Sequence, residues 1–89
     1  MDVDHTITLL KPIEHAGQKI TTIDFREPNG GDIERMETSK GSDLVKSYKL
    51  MADLAEIEPD VIRKLSVRDI GQINRWLEPI LDPKDPPGA

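Results

Sequence analysis

Pro28 sets the tightest limit on what this 89-residue chain can fold into. Two β-branched runs precede it, TITLLKPI at residues 6–13 and KITTIDFR at 19–26, and helix-period sequence follows it. Proline has no N–H to give a strand ladder, so the sheet stops there. In the first run Ile7, Leu9 and Ile13 share a parity. In the second, Ile23 and Phe25 face one way and Asp24 and Arg26 the other. Ile20 breaks that alternation, which predicts a bulge or a side chain beside the turn. Between the runs lies EHAGQ, where Gly17 can take a positive φ at little cost. A lone two-stranded hairpin is marginal in water, so this one must lean on helices or on a partner chain.

Beyond Pro28, DIERME at 32–37 reads as a short helix with Asp32 at or near its N-cap, and TSKGS is a flexible joint. A longer helix begins at Asp43, with Leu44, Tyr48, Met51 and Ala55 at helical spacing. Val45, Leu50, Leu54 and Ile57 widen that stripe. Pro59 suits a first helical position, opening a short helix that carries Val61, Ile62 and Leu65. Ser66-Val67-Arg68-Asp69 fits a capping box for a last helix. Its stripe is Ile70, Ile73, Leu77 and Ile80, flanked by Trp76 and Leu81, and Pro79 should kink or end it. The final DPKDPPGA has no large apolar group and reads as a disordered tail at 82–89. The predicted class is α+β: an N-terminal β-hairpin (5–26), then a cluster of three to four helices within 32–81, in one small domain at 1–81.

Composition narrows the function. Ten Ile, eight Leu and four Val can fill one small core, with only Phe25, Tyr48 and Trp76 as aromatics. Little is left to wall a deep substrate cavity, so an enzyme is not expected. With no cysteine there is neither disulfide nor thiolate metal site. The apolar runs are too short to span a membrane, and no basic-then-apolar start suggests a signal peptide. A net charge of −5 argues against generic nucleic-acid binding.

FREPNGGDIERM at 25–36 combines glycines with carboxylates, as ligand loops do. A P-loop needs Lys and Ser or Thr after its glycines, whereas here Asp32, Ile33 and Glu34 follow Gly31. Calcium-loop spacing is also missing. The residues read as a strand-to-helix joint. His5 and His15 lack a third ligand or a positioned nucleophile and read as exposed. No catalytic, cofactor or metal residue is expected. The segment PDVIRKLSVRDIGQINRW at 59–76 is a rival signal: a locally basic helix pair resembling a small helix-turn-helix DNA-binding regulator. The wide stripe at 43–57 together with Trp76 instead points to a protein-binding surface, for a helical client or a second copy of the chain.

The chain resembles the phage tail assembly chaperones of Mu-like and related contractile-tailed phages, the tail protein E family. The matching residues are Thr8, Leu9, Lys11, Pro12, Ile13 and Gly17, then Arg26, Glu27, Pro28, Gly31 and Asp32. Pro59, Val61, Leu65, Arg68 and Asp69 follow, so that residues 5–81 are covered. Glu58 stands where that family often has a second Pro, and Asn29-Gly30 where Thr or Ser with Ala is commoner; both are loop changes. The resemblance implies a non-enzymatic phage or prophage protein in the host bacterial cytoplasm. It would bind the tape measure protein, help the tail tube polymerise, and be absent from the mature virion. Such proteins are often made in two lengths by programmed frameshifting. On this reading Tyr48, Met51, Trp76 and Leu77 contact the partner, while Arg26, Glu27, Pro28, Gly31 and Asp32 build the fold.

Overall fold

A computed structural model describes residues 3–81. The expected disordered tail, 82–89, lies outside the described residues. The described chain is an antiparallel hairpin followed by four helices. Strands β1 (His5–His15) and β2 (Gln18–Phe25) precede α1 (Gly30–Thr38), α2 (Asp43–Ala55), α3 (Pro59–Lys64) and α4 (Val67–Leu81).

The strands are longer than the β-branched runs because the connection uses only two residues. Ala16 (φ 53°) and Gly17 (φ 78°) both take positive φ, the backbone that matches the right-handed twist of paired strands. The register pairs Ile7 with Ile23 and Thr8 with Thr22, then resumes at Ile13 with Ile20. Between those pairs β1 spends residues 9–12 where β2 spends only Thr21. The irregularity expected from Ile20 thus belongs to the opposite strand, where Pro12 cannot join a ladder.

Helix α1 starts at Gly30, two residues before the expected Asp32, because Asn29 is its N-cap. The Asn29 side chain accepts from the Asp32 N–H (3.1 Å) and the Asp32 carboxylate accepts from the Asn29 N–H (2.9 Å), a reciprocal capping box. Ser42 caps α2. Its end is a Schellman turn: Ile57 N donates to Ala52 O (3.0 Å), Glu56 N donates to Asp53 O (3.2 Å), and Glu56 is left-handed. Pro79 does not stop α4, which runs on to Leu81. Proline's missing N–H costs one bond there, and only two residues of the helix follow it.

The hairpin buries Ile7, Leu9, Ile23 and Phe25 against Leu50, Met51, Leu54, Ile62, Leu65, Ile73 and Leu77. The α2 stripe buries its C-terminal half only: Tyr48 is half-buried and Leu44 is exposed. Helix α2 packs on β2, α4 packs on β1, and α1 and α3 flank α2.

Candidate functional site

The joint that follows β2 is held by a buried carboxylate. Arg26 donates from Nη1 to Asp32 Oδ2 (2.7 Å) and from Nη2 to Oδ1 (2.8 Å). Arg35 donates to the same oxygen, Oδ1. Those bonds, led by Arg26, outweigh burial and lower the Asp32 pKa to about 2. Glu27 N donates to Asp4 (2.8 Å), while the Glu27 side chain is exposed. Half-buried Pro28 helps to line a groove of about 470 Å³ with Ile33, Met36, Ile80 and Leu81. Gly31 is exposed, and a Cβ there would approach Asn29 Oδ1 to 3.3 Å, so the cap explains the small residue.

A second fully buried carboxylate, Asp69, serves the bulge of β1. It accepts from Leu10 N (2.8 Å), Lys11 N (3.1 Å), Gln72 Nε2 (2.8 Å) and Ser66 Oγ (3.0 Å). Burial alone pushes the Asp69 carboxyl up, but these four donors outweigh it and hold its pKa below the usual value. The capping box expected at Ser66 is therefore modified. Ser66 Oγ accepts from the Asp69 N–H (3.2 Å) as predicted, but the carboxylate is spent on β1, 58 and 59 residues away. Sequence reasoning missed this contact. Pro12 inside a strand run was its one local signal, since such a proline marks a bulge or an edge.

The four expected partner residues divide by depth. Met51 (0% exposed) and Leu77 (2%) are core residues. Tyr48 and Trp76 are half-buried and present atoms to solvent. The Trp76 ring stacks on His5, with centroids 5.0 Å apart and planes 8° from parallel, and meets Phe25 at 5.5 Å. His5 is thus packed, and His15 is held too, 3.5 Å from Glu58 and 3.1 Å from Lys64 Nζ. Neither histidine is the exposed residue expected, because both side chains land against neighbouring helices.

In the basic α3–α4 pair, Arg63 bonds to Asp60 (2.7 Å) and Lys64 to Glu14 O (3.1 Å). Two of its four cations are thereby engaged within the protein. No cluster of three metal-ligating side chains occurs among the described residues. Among them, too, no helix is long and apolar enough to cross a membrane.

These features describe an open, shallow surface on a polar-pinned scaffold. Four of the residues carrying the resemblance pin it, Arg26 with Asp32 and Lys11 with Asp69. The model of a family described as phage tail assembly chaperone proteins, E, or 41 or 14, matches residues 6–81. The chain belongs to that family. No curated protein and no solved structure is significantly similar to it. In this tail assembly chaperone the match spans β1 through α4, so both buried carboxylates lie within it.

Proposed function

We propose that this chaperone binds the tape measure protein of a phage tail, keeps it soluble, and assists the tail tube to polymerise around it. The observation that carries the reading is family membership across 6–81. The physical surface suits it: Leu10, Leu44, Val67 and Leu81 are large apolar side chains left exposed. Shallow apolar contacts of this kind are individually weak, and several copies along one filament give avidity. The task is non-enzymatic and belongs to the host bacterial cytoplasm before the virion is complete. Tyr48 and Trp76 supply contact atoms on this reading, whereas Met51 and Leu77 lie in the core.

Co-expression tests it. The tape measure protein of the same phage, insoluble alone, is expected in the soluble fraction when this chain is present. A tape measure protein that pellets equally with and without the folded chain overturns the proposal.

A further inference from the structure

The dipeptide that opens α1, Asn29-Gly30, is not explained by packing. Asn29 is the N-cap, and a cap needs only a side-chain oxygen, which Ser, Thr or Asp supplies as well. Gly30 is the first residue of the helix. It is not among the glycines with positive φ, and a Cβ built on it meets nothing within 4 Å. Neither a turn nor a close approach therefore calls for glycine, which is less favourable in a helix than Ala. What the pair does carry is reactivity. A backbone nitrogen attacks the preceding Asn side chain most readily when its own residue is glycine, because no Cβ obstructs the approach. The Gly30 N–H, as the first of the helix, has no intrahelical acceptor, and Asn29 is exposed to water.

The cap also restrains that reactivity. Closing an imide ring requires Gly30 N and Asn29 Cβ to be nearly eclipsed, which for an L residue means a ψ of about −120°. The cap holds Asn29 at ψ 179°, about 60° away. Three bonds keep it there: Asn29 N donates to Asp32 Oδ2 (2.9 Å), Asp32 N donates to Asn29 Oδ1 (3.1 Å), and Ile33 N donates to Asn29 O (3.3 Å). Asp32 is in turn fixed by Arg26 and Arg35. Attack therefore waits on an opening of the first turn of α1.

We propose that Asn29-Gly30 is a hydrolytic modification site, yielding aspartate and isoaspartate, gated by the capping box that the isoaspartate product dismantles. Gly30 N gives its proton to a solvent base and attacks Asn29 Cγ. The N–Cγ bond forms, the Cγ–Nδ2 bond breaks, and the amide nitrogen takes a proton from water and leaves as ammonia. A water molecule then opens the imide. Addition at Cγ restores the normal chain with an aspartate side chain, whose oxygen caps as Asn29 does. Addition at the main-chain carbonyl routes the backbone through Cβ and Cγ. That extra carbon takes residue 29 out of register with Asp32 and frees the first turn of α1 beside the groove of Pro28, Ile33, Met36 and Leu81.

The whole chain, incubated at one mildly alkaline pH and then cut with trypsin, tests it through the peptide Glu27–Arg35. Exchange of the amide for a hydroxyl raises that peptide's mass, and chromatography separates its aspartate and isoaspartate forms. The folded chain is expected to convert at least about tenfold more slowly than the same peptide made free, since the cap must open first. Asn74, the other asparagine, precedes Arg75 within α4 and should outlast Asn29 in the same sample. Gly30→Ala, which no neighbouring atom obstructs, should slow conversion at least about fivefold in a chain shown folded by circular dichroism. The purified isoaspartate chain should melt several degrees below wild type, and Asn29→Asp close to it. Conversion of the chain at the free peptide's rate, loss of Asn74 before Asn29, or undiminished conversion in Gly30→Ala overturns the proposal. So does an isoaspartate chain that melts with the wild type.

Discussion

Asp32 stays ionised in the interior because Arg26 delivers two N–H groups to it and Arg35 another. Removing one partner of such a pair strands the other's charge, so Asp32→Ala is expected to cost about 3 kcal/mol in urea unfolding. The pH dependence follows from the same bonds. The folded pKa of about 2 lies below the ordinary 3.8, so the contribution is complete above about pH 4 and is lost as pH falls through 2. It amounts to about 2 kcal/mol. Asp69 acts in the same direction. Wild-type stability should therefore decline between pH 4 and 2, and Asp32→Asn should flatten part of that decline; an unchanged acid profile would contradict the assignment. Ala16 presents the opposite case. It holds φ 53° in a turn that favours Asn or Gly, so Ala16→Asn should raise stability by roughly 0.5–1 kcal/mol, read as a higher melting temperature.

At the scale of elements, the hairpin depends on α4. Its bulge exposes two N–H groups that only Asp69 satisfies, and two strands alone are marginal. A chain ending at residue 65 is expected to lose its cooperative transition and its strand signal in circular dichroism; retention of both would show that the hairpin stands without α4. This dependence explains what could be read from the sequence. The parity of Ile7, Leu9, Ile23 and Phe25 and the spacing of Ile73 and Leu77 reveal which faces are buried, since both follow from local geometry. The Asn29 cap is misread by three residues because Asp32 has the chemistry of a cap as well as that of its partner. The tie from Asp69 to the bulge has Pro12 as its one local hint, because its donors lie 58 and 59 positions away. The candidate surface suffers likewise: Met51 and Trp76 both fall on apolar stripes, and only tertiary packing decides that one is sealed and the other half-open.

The whole molecule combines a small sealed core with grooves that are open rather than enclosed, on an acidic chain. Such a body suits binding and release along an extended helical client better than it suits turnover of a small substrate. Met51→Ala separates the core from the surface at this scale. It should cost about 2–5 kcal/mol of stability, whereas Val67→Asp should leave stability nearly unchanged while weakening client binding. The most direct test is the mass, by chromatography with light scattering, of the tape measure protein co-purified with this chain. A soluble complex holding more than one chaperone copy per tape measure chain is expected. A tape measure protein that pellets while the folded chaperone elutes alone would contradict it.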